Sequence, residues 1–199
     1  MKTDSKKLTS SNIKRLVLTA VLIGLATALS MLKIWQMPLG GSVTLLSMLP
    51  IALISIEYGV AWGLSGAFIY SLLQMGLSIA KVLSWGLAPA AVVGTVLLDY
   101  ILAYTVLGFS GMFRKKGVPG ICVGVFIAIL LRFVCHLLSG AIIFDIWMPD
   151  DWANPFVYSF CYNGLYMLPE LILTMLGAVL LFKTPSFNKI MSSNMEYKR

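Results

Sequence analysis

The 27-residue stretch VPGICVGVFIAILLRFVCHLLSGAIIF, residues 118–144, holds two basic side chains, Arg132 and His136, among residues that are otherwise apolar or small. As a helix it would be about 40 Å long, enough to cross the roughly 30 Å hydrocarbon core of a bilayer. A helix on the surface of a soluble domain has a charged or polar face, and this stretch has none. It therefore predicts a transmembrane helix that carries an arginine and a histidine inside the membrane.

The rest of the chain has the same character. Of its 199 residues 59% are hydrophobic and 12% are charged, and the mean hydropathy is +0.89. A soluble domain of this size could not bury so much apolar surface, so the composition excludes that class. The alternating segments of a transmembrane β-barrel are not visible in the sequence. The net charge of +7 fits basic cytoplasmic loops better than a nucleic-acid partner, because the cations are clustered between apolar runs.

We predict an all-α integral membrane protein, a bundle of six transmembrane helices that forms a single membrane domain over residues 1–199. The predicted spans are about 13–34, 43–56, 60–80, 90–113, 118–144 and 156–182, with a cytoplasmic tail at 184–199. The second span is short and contains Pro50, which is typical of a tilted, broken or re-entrant segment. A signal peptide is the alternative for the first span, but its apolar run continues to Leu32, so we interpret it as a retained helix.

Lysines and arginines are distributed unevenly between the loops. They cluster before the first span, at residues 114–116 and in the tail, and six spans place these three groups on one side. The opposite loops carry only Lys33 and Lys81 as cations. The positive-inside rule then places both termini in the cytoplasm. Four tryptophans fall at the outer boundary, where amphipathic rings prefer to lie: Trp35, Trp85, Trp147 and Trp152.

Four ionisable side chains fall within the predicted spans: Asp99, Arg132, His136 and Glu170. A charge at the bilayer centre costs about 2.5–3.5 kcal/mol on insertion scales, so each one indicates a paired or functional group. Arg132 and His136 share a helix face, and we interpret Arg132 and Glu170 as a structural buried ion pair. Asp99 has no basic residue within reach in its own helix, which favours a role in binding.

Polar and aromatic side chains surround the buried aspartate and histidine at a similar depth. Tyr158 and Tyr162 repeat at a spacing of four in the last span, and Asn163 lies beside them. Counting from the outer helix ends places this group within roughly 3–15 Å of the outer boundary. An anion, an imidazole, an amide and several phenol rings suit a flat, cationic, heteroaromatic ligand.

Other chemistries are less well supported. Cys135, His136 and Cys161 lack the paired spacing of metal ligands, so we predict no metal site and no cofactor. Neither Ser139 nor Ser159 lies in a GxSxG-like segment, which argues against an intramembrane hydrolase. The sequence also lacks a GxxxxGK[ST] phosphate loop, so this chain does not hydrolyse ATP by that route. We therefore predict a binding or transport protein rather than an enzyme.

Small residues recur at a spacing of four in three of the predicted helices. One such stripe, Ala20, Gly24 and Ala28, lies on the first helix, and two others begin the third and fifth spans. Small residues let helix backbones approach closely in a membrane, so internal packing explains such stripes in general. For the first helix we also consider a docking surface for a partner membrane protein.

Several motifs resemble a known family. The segments GGSVTLLSMLPI (residues 40–51) and Leu98-Asp99-Tyr100 resemble the substrate-binding S-component of energy-coupling factor (ECF) vitamin transporters. The thiamine-specific S-components are the most similar, and the likeness covers nearly the whole chain. Its most specific part comprises Arg132-Phe133, His136, Ser139-Gly140, Asn154-Pro155, Tyr158-Ser159 and Tyr162-Asn163-Gly164.

The resemblance implies a multi-pass protein of the bacterial cell membrane that binds thiamine, or a related pyrimidine or thiazolium ligand, from outside with high affinity. A transmembrane coupling protein and two ATPase subunits would power release inside. Asp99 would face the thiazolium cation, where the family has an acidic residue. The family's other ligand-contacting positions correspond here to Tyr100, His136, Tyr158 and Asn163.

Further residues complete the expected site and the expected partner surface. Tyr162 and Gly140 lie on the same helix faces as these residues, and Trp147 or Trp152 in the outer loop is a candidate lid. Ala20 and Gly24 correspond to the family's small-xxx-small motif, which docks on the coupling protein.

Three positions depart from the family pattern. Some members have Glu where Asp99 stands, and Trp where Phe144 and Tyr70 stand. Losing indole surface weakens stacking on a cationic ligand by on the order of 0.5–2 kcal/mol per ring. The residues leave open a stand-alone proton-coupled secondary transporter for thiamine or another small heteroaromatic and, less favoured, an intramembrane enzyme.

Overall fold

The structure is a computed structural model that describes residues 2–38 and 40–187, with side chains from residue 12 onward. Most of the predicted tail at 184–199 therefore lies outside the described residues. The described part contains two short strands and seven α-helices: α1 (Lys2–Met31), β1 (Lys33–Gln36), β2 (Ser42–Thr44), α2 (Met48–Tyr58), α3 (Val60–Ser84), α4 (Pro89–Thr95), α5 (Ala103–Thr105), α6 (Gly117–Ile142) and α7 (Pro155–Lys183).

Five helical segments in the described part are long and apolar enough to cross a bilayer. They are Asn12–Met31, Val60–Ser84, Pro89–Gly111, Arg114–Ile142 and Pro155–Lys183. The segment Pro89–Gly111 is not a uniform α-helix, because a π-helix, Val96–Leu102, separates α4 from α5 and a 3-10 helix, Val106–Gly111, ends it. Their outer surfaces carry many exposed large apolar side chains, as expected of helices that face lipid.

The second predicted span, 43–56, is not a membrane-length helix. The first helix ends at Met31 rather than Ile34, and the chain forms an antiparallel hairpin in which β1 pairs with β2. Helix α2 then has 11 residues, about 16 Å, which is half the thickness of the hydrocarbon core. Helix breakers between Pro38 and Gly41 favour the hairpin, and Pro50 lies in the first turn of α2, where proline is tolerated.

Helix α2 forms the centre of the bundle. Nine of its 11 residues are buried, and Ile51 and Ile54 have no exposed surface. It packs on α1, α3, α7 and the Val106–Gly111 segment. A short helix at membrane depth is stable here because protein, and not lipid, surrounds it.

Glycines allow the close contacts around α2. The Ser55 hydroxyl donates to the carbonyl of Gly108 and accepts from the amide of Gly111, the latter at 2.9 Å. A Cβ at Gly108 would meet the backbone of Leu64 in α3, and one at Gly63 would meet Ser55. The small residues that begin the third span therefore serve internal packing.

Cations anchor the end of the bundle where α1 begins and α2 ends. The guanidinium of Arg15 lies 3.8 Å from the ring centroid of Trp62, whose indole nitrogen donates to Thr19 at 2.8 Å. Arg114 donates to the carbonyl oxygens of Ile56 and Glu57, at 3.1 and 2.6 Å. A cation at a helix C-terminus satisfies carbonyls that lack an intrahelical partner.

We expect Gly108→Ala to destabilise the protein by about 1–3 kcal/mol, because the added methyl overpacks the contact with the α3 backbone. Thermal unfolding of the purified protein in detergent measures this as a drop in Tm. Gly76→Ala is the matched control, since no atom lies within 4 Å of the added Cβ and alanine favours the helix. Equal Tm values for Gly108→Ala and the wild type would contradict this packing.

Candidate functional site

A cavity of about 200 Å³ lies between α3, the Pro89–Gly111 segment, α6, α7 and the β-hairpin. Seven of the eight predicted ligand-binding residues line it: Asp99, Tyr100, His136, Gly140, Tyr158, Tyr162 and Asn163. The structure thus brings together residues that are up to 64 positions apart in sequence. Trp147 does not line the cavity.

Asp99 lies in the middle of the π-helix and reaches across to α6. Its Oδ1 lies 2.7 Å from Nδ1 of His136, and its Oδ2 accepts from the Ser139 hydroxyl at 2.5 Å. The side chain keeps 16% of its surface exposed, so the carboxylate also faces the cavity. π-Helical turns within α-helices occur frequently at functional sites, and this one carries the residue for which we expected a ligand contact.

His136 is held in one tautomer by its two neighbours. Nε of Arg132 donates to Nε2 of His136 at 3.3 Å, and a guanidinium nitrogen can only donate. Nε2 is therefore the acceptor, and Nδ1 carries the proton that is donated to Asp99. Both ring nitrogens are occupied within the protein, so His136 positions the carboxylate in this state rather than presenting a nitrogen to a ligand.

Arg132 is buried and does not pair with Glu170. Its guanidinium lies 4.1 Å from the ring centroid of Tyr104, a cation–π contact, and none of its nitrogens lies within 4.0 Å of a Glu170 oxygen. Oε1 of Glu170 instead accepts from the amide and the hydroxyl of Thr44, at 2.5 and 2.6 Å. The predicted Arg132–Glu170 ion pair is therefore wrong, because the hairpin, which the sequence reading did not include, supplies the partner of Glu170.

Asn163 cross-links α6 and α7. Its amide nitrogen lies within 3.3 Å of the carbonyl of His136 and within 2.9 Å of the carbonyl of Ser159, and its oxygen accepts from Tyr166. Its donors are therefore used within the protein in this state. Gly140 allows the close approach of the two helices, since a Cβ there would collide with the Ser159 hydroxyl.

Aromatic side chains form one wall and the mouth of the cavity. Along α7 the rings of Tyr158, Tyr162 and Tyr166 follow one another with centroids 6.0 and 6.3 Å apart. At the mouth the rings of Trp85 and Phe144 meet edge to face at 5.6 Å. These rings offer stacking surfaces to a flat ligand.

The tip of the β-hairpin covers this mouth. A Cβ at Gly40 would lie 3.6 Å from the Trp85 ring, and Nζ of Lys81 lies 5.7 Å from the centroid of that ring. Trp147 stacks on Phe144, with centroids 5.4 Å apart, so it supports the mouth from outside the cavity. The predicted lid residue therefore lies one layer away from the cavity.

Sequence reasoning missed four residues that shape the site. Trp85 and Tyr104 line the cavity, and Ser139 and Thr44 bond to its two carboxylates. Ser139 was detectable, because it lies three residues after His136 and therefore on the same helix face. Tyr104 and Thr44 were not, since the position of Tyr104 depends on the π-helix and that of Thr44 on the hairpin.

The arrangement suits a planar monocation. A carboxylate with fixed donors faces a cavity whose walls are phenol, indole and benzyl rings. Carboxylates offset positive charge, and aromatic faces attract cations. The described residues contain no group of three His, Cys, Asp or Glu side chains that could hold a metal ion.

Comparison with known proteins gives consistent results. A family model described as "Thiamine transporter protein (Thia_YuaJ)" matches residues 16–189. The thiamine transporter ThiT of Bacillus subtilis (strain 168) is 33% identical over 189 residues, which cover 88% of this chain and 93% of that protein.

Among solved structures, ThiT from Listeria monocytogenes superposes with a TM-score of 0.68 and 19% identity, covering 88% of this chain and 97% of that chain. At this identity the likeness concerns the fold alone, and it confirms the predicted all-α membrane class. The family match covers most of the sequence and agrees with the predicted resemblance. This chain therefore belongs to the thiamine transporter protein (Thia_YuaJ) family of multi-pass bacterial membrane proteins.

Proposed function

We propose that this protein is the substrate-binding membrane subunit of an ATP-powered vitamin uptake system and that it binds thiamine from the outside with high affinity. The observation that carries the proposal is the Asp99 carboxylate, fixed by two hydrogen bonds and facing an aromatic-walled cavity. Thiamine is a permanent monocation with two flat heteroaromatic rings. The family and the relative from Bacillus subtilis are both named for thiamine transport, which supports the same ligand.

In this proposal the thiazolium ring lies next to Asp99. The aminopyrimidine ring then stacks among the aromatic rings of the mouth and of α7, where Trp85 supplies the indole that some members of the family have at the Phe144 position. Tyr100, Tyr158 and Tyr162 contact the ligand directly. His136, Asn163 and Gly140 act through the frame that they build around it.

The proposal includes six crossings of the cell membrane, with both termini in the cytoplasm. The hairpin and α2 together make the second crossing, inside the bundle. The cationic end, with Arg15 and Arg114, then faces the cytoplasm under the positive-inside rule. The opposite end, with Trp85 and the cavity mouth, faces outward, where a nutrient arrives.

A coupling protein and two ATPase subunits are the proposed partners. Ala20, Gly24 and Ala28 are exposed on α1, and no atom lies within 4 Å of a Cβ built on Gly24. Gly63 at the start of the third span is different, because a Cβ there would meet Ser55 inside the bundle. An exposed small-residue stripe in a membrane allows the helix of another protein to pack closely.

Purified protein in liposomes tests the proposal directly. We expect nanomolar thiamine binding, no thiamine turnover and no net uptake until the coupling protein, the ATPases and ATP are supplied. Uptake by the chain alone under an imposed proton gradient would instead indicate a secondary transporter. Chemical conversion of bound thiamine would indicate an enzyme.

Asp99→Asn should weaken thiamine binding by at least about 30-fold, because removing one charge from a buried pair costs about 2 kcal/mol or more. Thiamine-dependent quenching of tryptophan fluorescence gives the Kd. Asp150→Asn makes the same change at an exposed outer-loop position and should leave the Kd within about twofold. Equal Kd values for Asp99→Asn and the wild type would refute the cation site.

Gly24→Leu should leave thiamine binding within about twofold but abolish ATP-driven uptake, because the larger side chain blocks close helix packing. Binding is measured in detergent, and uptake in liposomes that also contain the coupling protein and the ATPases. Leu18→Phe enlarges an exposed residue about 120° around α1 from Gly24 and is the matched control. Normal uptake by Gly24→Leu would exclude this face as the docking surface.

A further inference from the structure

Ser139 bonds to the ligand-facing carboxylate from the same helix as His136. The two residues are three positions apart on α6 and share a face, so both donors to Asp99 come from one rigid element. Ser139 is fully buried. Donors on a rigid helix control the position of an acceptor more tightly than donors on a loop.

The hydroxyl of Ser139 differs from those of other buried helical serines in the group to which it donates. Ser71 and Ser110 donate to carbonyl oxygens of their own helical segments. Ser55 and Ser159 donate to carbonyl oxygens of neighbouring segments. Ser139 instead donates to a carboxylate oxygen, so its hydrogen bond acts on the charged group of the site rather than on backbone.

The two donors fix different degrees of freedom of Asp99. A single bond from His136 to Oδ1 leaves the carboxylate free to pivot about that oxygen through coupled changes of the Asp99 side-chain torsions. The second bond, at Oδ2, fixes the plane of the carboxylate and hence the direction in which its remaining lone pairs point. Arg132 contributes only indirectly, through Nε2 of His136.

We propose that Ser139 is a positioning residue that orients the Asp99 carboxylate toward the cavity and so sets the preference for cationic over neutral ligands. This inference rests on the proposed function, because it takes thiamine as the ligand. Without the Ser139 hydroxyl the carboxylate rotates among several orientations, and a ligand's positive charge gains less from it. A ligand without that charge is affected little.

The test compares thiamine with its neutral thiophene analogue, in which carbon replaces the cationic ring nitrogen. We expect Ser139→Ala to weaken thiamine binding about tenfold, the scale of a hydrogen bond to a charged group, and analogue binding less than twofold. Ser139→Cys, with a weaker donor, should give an intermediate loss and serves if the alanine variant does not fold. Ser71→Ala is the buried matched control and should leave both Kd values unchanged.

A double-mutant cycle with Asp99→Asn provides the second readout. If Ser139 acts through the carboxylate, Ser139→Ala should change thiamine affinity by less than about twofold in the Asp99→Asn background. Equal losses for thiamine and its analogue, or no loss for either, would overturn the positioning role. Absence of thiamine binding by the folded wild-type protein would refute the proposed function itself, which separates the two failures.

Discussion

The site depends on one constraint, the cost of holding a carboxylate away from water. Burying an ionised group without partners costs several kcal/mol, so such a group persists only where hydrogen bonds and nearby charges compensate it. Asp99 meets this condition through His136 and Ser139, and His136 is itself fixed by Arg132. The π-helix that carries Asp99 packs on α6 in a register that brings these groups together.

The same constraint explains the hairpin and α2. Backbone that is neither helix nor closed sheet is tolerated at membrane depth only where protein satisfies its polar groups. The amide of Thr44, just before α2, donates to Glu170 on α7, and buried residues of α2 shield that region from lipid. Glu170 is thus a structural acceptor for irregular backbone. Glu170 therefore stabilises the fold through Thr44 and does not form the predicted ion pair with Arg132.

The sequence allowed much of this to be predicted. Long apolar runs indicate membrane helices directly, and the polar residues within them, together with the family resemblance, led to seven residues that line one cavity. The hairpin was not predictable in the same way. A mean hydropathy over residues 33–47 contains no information about the pairing of β1 with β2 or about a positive φ such as that of Leu46. The π-helix was missed because its residues have the same apolar pattern as an α-helix, and its single extra residue per turn leaves no sign in composition.

The false ion pair has a related cause. Counting residues from the helix ends gives the depth of a residue in the membrane but not its direction around the helix axis. Arg132 and Glu170 were therefore predicted to pair because they lie at a similar depth, with no information about the residues around them. Depth alone could not show that Tyr104 and Thr44 lie between helices and compete as partners. For the same reason the sequence placed Asp99 correctly in the cavity but did not show that Ser139 bonds to it. The spacing of three puts Ser139 on the same helix face as His136, but only the packing of α6 against the π-helix shows which group its hydroxyl meets.

The two carboxylates that line the cavity are held differently: both oxygens of Asp99 accept hydrogen bonds from α6, whereas Glu170 accepts from Thr44 through Oε1 alone. In the low-dielectric interior a monocationic ligand beside the Asp99 carboxylate gains an attraction that a neutral ligand does not. The two lysines that line the cavity, Lys33 and Lys81, have exposed side chains, and water screens them. Under the proposed function, the preference for a positively charged ligand therefore rests on Asp99, and the orientation of its carboxylate determines where in the cavity that charge is held.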